Sequence, residues 1–178
     1  FAQYLTKADA RDQKISKPIY VQQNEVIFST TRSVIFEESF EFTTNSLENG
    51  WTSVDNDGDE NGWFVYTAAG AAHSGDLCVG SASWDQTSGA LTPDNWLISP
   101  QISLPESGTI MLGFYVGAQD PSWPAEKYKV AVSTTGTEVA DFTEIYTQTL
   151  SNGNWIEKSL NLSDYAGEDV HIAIVHYD

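Results

Sequence analysis

The stretch Thr109-Ile110-Met111-Leu112-Gly113-Phe114-Tyr115-Val116 decides the fold. Ile110, Leu112, Phe114 and Val116 fall on every second position, so an extended chain places all four on one face. A helix would bring them together only at three- and four-residue spacing. Met111, Gly113 and Tyr115 take the opposite face, which is less polar than the solvated side of a sheet. Working outward, Tyr128, Val130 and Val132 alternate with Lys127, Lys129 and Ala131 in the same manner. Short runs of strand character recur at 63–66, 77–81, 95–99, 142–148, 155–160 and 170–176. At 33–42, Val34, Phe36, Phe40 and Phe42 again share a face. Pro93, Pro100, Pro105, Pro121 and Pro124 all fall between these runs, where a missing N–H breaks no ladder. Period-two alternation divided by turns predicts an all-β, antiparallel β-sandwich.

Bulk properties set the limits. A chain of 178 residues buries enough surface for a core without staples. Six Trp, eight Tyr and eight Phe do not suit a disordered acidic tail. Eight Lys and Arg face 25 Asp and Glu, for a net charge of −17. Such a chain repels nucleic acid and anionic lipid, and its carboxylates suit hard cations, calcium above all. The same acid also keeps an exported protein soluble. The single cysteine, Cys78, allows no internal disulfide, and between Leu77 and Val79 it reads as a buried, inert thiol. No apolar run reaches the ~18 residues of a membrane span. No apolar leader opens the sequence, so an exported protein is expected to have lost one. Residues 1–33 read as an arm or linker. Lys7, Arg11, Lys14 and Lys17, half of the eight basic residues, lie in its first 17 positions. A strand is expected at 19–28 (IYVQQNEVIF), and the sandwich at 34–178.

Six blocks then follow one another in order: Phe36 to Glu41 (FEESFE), Gly50-Trp51-Thr52, Asp55 to Trp63 (DNDGDENGW), His73-Ser74-Gly75, Pro93 to Pro100 (PDNWLISP), and Gly117-Ala118-Gln119-Asp120 leading to Glu126-Lys127-Tyr128-Lys129-Val130. Together they resemble the cleaved-adhesin domains of gingipains and related haemagglutinins. The resemblance implies a jelly-roll sandwich, secretion by a Bacteroidetes-type bacterium, calcium, and a role in adhesion or haemagglutination. It also implies that Trp51, Trp63 and Trp96 are structural. Similar domains continue into a final strand with paired acidic residues, whereas this sequence ends at Asp178. The expectation is either a truncated product or an edge filled by 19–28, since an open edge invites aggregation.

Chemistry concentrates in the acidic block. Asp55, Asp57, Asp59 and Asn61 alternate, and Gly58 permits a tight turn that lets their oxygens converge. Calcium takes six to eight oxygens in flexible geometry, so the four are read as its ligands. The block departs from the helix–loop–helix calcium loop, with Gly58 at the fourth position and Tyr66 at the twelfth; a solvated acidic turn stays open as the alternative. A second metal position is expected at Glu41, with Glu38 and Asp178 as neighbours if the first and last strands meet. The resemblance favours Glu41. Trp84, Trp123 and Tyr128 are candidates for a sugar-stacking surface, because aromatic faces bind the apolar faces of sugar rings.

Catalysis has weaker signals. His171 and His176 stand five apart on one strand and face opposite ways, so they make no zinc pair. No G-x-S-x-G occurs, and Cys78 lacks a nucleophile motif. The expectation is a non-enzymatic, extracellular or surface adhesin module that binds host protein or glycan and holds structural calcium. Two alternatives remain: a carbohydrate-binding module of a degradative enzyme, and a small glycoside hydrolase using an acid pair whose separation is invisible in sequence.

Overall fold

The computed structural model describes residues 33–177. The strand expected at 19–28 and the residue Asp178 lie outside the described residues. Twelve strands occur among those described: β1 (Thr52–Asp55), β2 (Phe64–Tyr66), β3 (Cys78–Gly80), β4 (Trp84–Asp85), β5 (Gly89–Ala90), β6 (Asp94–Ile98), β7 (Ile102–Ser103), β8 (Met111–Val116), β9 (Lys127–Ser133), β10 (Thr143–Thr149), β11 (Ile156–Asn161) and β12 (Asp169–Tyr177). The main sheet is antiparallel, in the order β1-β6-β12-β9-β10, and β7 joins the start of β12. Three ribbons accompany it: β8–β11, β2–β3 and β4–β5.

Alternation explains the layering. In β9 and β12, Tyr128, Val130, Val132, Val170 and Ile172 point to one face and meet Leu112, Phe114, Val116, Ile156 and Leu160 of the β8–β11 ribbon. Ile174 pairs with both Val130 and Leu97, so the same inner face continues to β6. There Phe42, Trp51 and Val65, with Trp63 and Val79, cover Leu97. The second layer therefore has two parts, the β8–β11 ribbon over one half and β2–β3 with the 40–51 segment over the other. On the outer face Ala131, Ala173, Val175 and Ile98 pack under Trp96 and Phe142. Val130, Val170 and Val175 have no exposed surface. Each such burial is worth about 1.5–3 kcal/mol, and a one-residue slip of β9 would turn Lys127 and Lys129 inward. The register is thereby fixed, and the result is an antiparallel jelly-roll β-sandwich.

The alternating run at 33–42 is not a strand. Phe40 has φ +60°, and its N–H is taken by Glu38 Oε1 at 2.8 Å, a local bond that competes with a ladder. Val34 and Ile35 are exposed, while Phe42 is buried.

Candidate functional site

The acidic block forms the β1–β2 connection. β1 is held by β6, with Asp55 opposite Asn95, and the chain then winds around the Asp55 carboxylate. Oδ1 of Asp55 accepts the Gly58 N–H and Oδ2 the Glu60 N–H, each at 2.8 Å. Gly58 sits at φ +77°, a conformation glycine adopts without strain. Asp59 Oδ1 accepts the Asn61 N–H, and Asn56 donates to Asp94 Oδ2 at 2.6 Å, tethering the loop to β6. One carboxylate oxygen each from Asp55, Asp57 and Asp59 lies within 4.8 Å of the others. Calcium holds oxygens at about 2.3–2.6 Å, so opposite ligands stand about 5 Å apart, and the three carboxylates fit that sphere. Asn61 follows directly, with its Nδ2 turned to the Asp59 carbonyl at 3.1 Å.

Electrostatics agree with the fit. The Gly58 and Glu60 N–H groups hold the Asp55 carboxyl below the usual carboxylate range. Asp57 moves the other way, pushed up by desolvation, by its contact with Asp55 and by the Asp59 charge. Like charges at this range repel by about 1 kcal/mol per pair even in water. A divalent cation would remove that repulsion.

Glu41 is not part of the cluster. Its Oε1 accepts the N–H groups of Asp76 and Leu77 at 2.8 and 3.0 Å, closing the turn before β3. Glu38 likewise serves the backbone of Phe40 and the side chain of Asn49. Burial, with the Glu41 charge, pushes the half-buried Cys78 thiol up, away from the thiolate form.

The three aromatic candidates separate. Tyr128 is buried at 4% exposure, tucked against Phe114 and Tyr146, and its hydroxyl donates to Gln148 Oε1. It belongs to the inner face of β9 and offers no stacking surface, because the even-numbered face of that strand is the core. Trp84 and Trp123 are 62% and 76% exposed. Trp84 lies on the β4–β5 hairpin opposite Ala90. Trp123 sits on a pinned turn: Asp120 accepts N–H groups from Ser122 and Trp123, and Pro121 packs closely on Gly153. Beside it opens a groove of about 230 Å³, lined by Ala90, Leu91, Trp123, Glu126 and Tyr177 among others.

A polar chain runs from this groove into the sandwich. Ser83 donates to Glu126 Oε1 at 2.7 Å, and His176 Nε2 lies 2.9 Å from Glu126 Oε2. The carboxylate only accepts, so Nε2 carries the hydrogen there, and in the neutral ring Nδ1 accepts from the Ser81 hydroxyl. Asn95 Nδ2 then donates to Ser81 Oγ at 3.1 Å. Serine, histidine and acid stand in a row as in a hydrolytic triad, but Glu126, not Ser81, lines the groove. The polar chain joins residues far apart in sequence; the hints were Asn95 within the Pro93 to Pro100 block and Glu126 within the last of the six blocks.

The arrangement can be compared with known proteins now that it is described. The Cleaved Adhesin Domain family model matches residues 33–178. Hemagglutinin A of Porphyromonas gingivalis is 37% identical over 84% of this chain, and Lys-gingipain W83 of the same organism is 33% identical over 75%. The chain spans only 8% and 9% of those proteins' lengths. Among solved structures, the K1 cleaved adhesin domain of Lys-gingipain from P. gingivalis W83 matches with TM-score 0.70 and 34% identity, over 79% of this chain and 86% of that one. The K2 domain of Lys-gingipain matches with TM-score 0.65 and 31% identity, over 80% and 88%. With the family model spanning these residues and relatives above 30% identity, the chain belongs to the cleaved adhesin domain family.

Proposed function

We propose that this chain is a secreted or cell-surface binding module of a larger protein, attaching to host protein or glycan, with calcium as a structural ion at Asp55, Asp57 and Asp59. One observation supports attachment most directly. Trp51, Trp63, Trp96 and Trp155 pack into the protein, whereas Trp84 and Trp123 stand in solvent on short, hydrogen-bonded connections. Exposed tryptophans of this kind are the residues that most often dominate binding energy when covered. The net charge of −17 turns the surface away from nucleic acid and anionic lipid. Among the described residues no helix is long and apolar enough to cross a membrane.

The test is attachment of the chain to immobilised extracellular-matrix proteins and to erythrocytes. Saturable attachment, reduced roughly tenfold or more in a double Trp84→Ala, Trp123→Ala variant, is the expected result. A parent that attaches to neither surface would overturn the adhesin reading.

A further inference from the structure

We infer that the groove beside Trp123 seats one apolar side chain of a protein partner, on a segment whose neighbouring residues are Lys or Arg. The inference rests on the adhesin reading above and names the kind of partner and one anchor point for it. Ala90, Leu91, Ala125, Trp123 and Tyr177 give the groove its apolar lining. Glu126 and Lys127 also line it, but both already have partners. Ser83 donates to one Glu126 oxygen and His176 to the other. A ligand is therefore not needed to satisfy either charge, and the rest of what it meets is largely carbon. At about 230 Å³ the groove is smaller than the ~300–1,000 Å³ of drug-sized sites, so it suits a single anchoring side chain.

The surroundings are those of an anchor point. Trp123 is 76% exposed on a turn that Asp120 pins, and it forms part of the groove. Trp84, 62% exposed, stands opposite Ala90 on the β4–β5 hairpin, and Ala90 lines the groove. Both rings sit on short, hydrogen-bonded connections, so little ordering is lost when a partner covers them. Aromatic residues around a small apolar pocket are where binding energy concentrates in protein interfaces.

Charge identifies the residues beside the anchor. Asp85 follows Trp84 directly, and Asp120 holds the turn that carries Trp123. The Ser88 and Thr87 N–H groups hold the Asp85 carboxyl below the usual carboxylate range, so it stays ionised. Beyond residue 33 the sequence has only three basic side chains, Lys127, Lys129 and Lys158. Lys129 lies over the Trp96 and Tyr177 rings, Lys158 over Tyr146, and Lys127 has a partner of its own. Cations for the exposed carboxylates must then come from outside the fold. A net charge of −17 draws in a basic segment and repels an acidic one. A neutral sugar would gain nothing from this field.

The experiment titrates the isotope-labelled chain by NMR with short synthetic peptides, to about 1 mM so that weak binding is still seen. One peptide has leucine flanked by Lys and Arg, a second has serine at the centre of the same flanks, and a third has leucine flanked by Glu. A neutral trisaccharide is the fourth probe. The basic leucine peptide is expected to shift the Ala90, Leu91 and Trp123 signals, with the serine peptide roughly tenfold weaker. Trp123→Ala and the groove-filling Ala90→Phe should each weaken binding by about tenfold. Both positions are exposed, so circular dichroism of these variants should match the parent. Asp120→Asn keeps the acceptor for Ser122 but removes a charge, and should reduce both affinity and its salt dependence. No shift at the groove, equal binding of the serine peptide, preference for the Glu-flanked peptide or the trisaccharide, or full binding by folded Trp123→Ala would each overturn the inference. If the parent still attaches to matrix protein or erythrocytes, that failure leaves the adhesin reading standing; attachment to nothing overturns both.

Discussion

Asp57 holds the most informative position in the acidic loop. Its carboxyl is pushed up by desolvation and by the neighbouring Asp55 and Asp59, so it is the group that ionises against resistance. A carboxyl raised in the folded state adds stability below its unfolded value and loses that advantage as pH rises through the folded value. Without calcium, Asp57→Asn should therefore be at least as stable as the parent at neutral pH. The difference should stay within about 0.5 kcal/mol, as for other exposed positions, and should close as acid protonates Asp57. Asp55 carries the opposite sign, since its depressed carboxyl adds stability that is lost as pH falls through its folded value. With calcium present the order reverses, because asparagine keeps one oxygen but removes a charge. Melts at neutral and acid pH, with chelator and with calcium, test this. A variant less stable than the parent under chelation would show that the Asp57 charge is satisfied by something other than a cation.

At the scale of elements, the turn before β3 depends on Glu41. Glu41→Ala leaves the Asp76 and Leu77 N–H groups to water and should cost about 1 kcal/mol, whereas Glu41→Gln keeps an acceptor oxygen and should cost less. Gly75→Ala attacks the same turn from the other side. Gly75 has φ +72°, and an added methyl would collide with Glu41 Oε1, so a loss of roughly 1–2 kcal/mol is expected in urea titration. If Glu41 acts only as a clamp, these losses are equal with and without calcium; a loss confined to calcium-loaded protein would identify Glu41 as a metal ligand. The turn also shows what sequence can carry. β8 was legible because one buried face imposes alternation over six residues, and β9 and β12 because their longer runs of β-branched residues are packed on both faces. The run at 33–42 shows the same alternation, yet Glu38 captures the Phe40 N–H and the chain turns instead. β4, β5 and β7 were not legible, because two residues carry no period. The acidic loop could be read because Asp55, Asp57 and Asp59 lie in one short stretch. The groove could not, since pairing of β12 with β9 is what brings Tyr177 beside Lys127.

The whole molecule carries 25 acidic and eight basic side chains, so its folded state works against its own charge. Two effects of added salt must then be separated. Screening acts on every exposed carboxylate and grows as the Debye length shrinks to ~10 Å at 0.1 M ionic strength. Sodium chloride added to a low-salt sample should raise the melting temperature modestly and saturate within a few hundred millimolar. A site that binds calcium only in the native state contributes separately, by about 2.7 kcal/mol at a hundredfold excess over Kd. For a chain of this size that is a rise of roughly 5–10 °C. Calcium chloride should therefore stabilise the parent well beyond sodium chloride of equal ionic strength. Asp57→Ala should retain the sodium response and lose most of the additional calcium response, because it deletes one of three converging ligands and leaves the remaining surface charge almost unchanged. Equal calcium and sodium responses in the parent would reduce the acidic loop to one patch of surface charge among many.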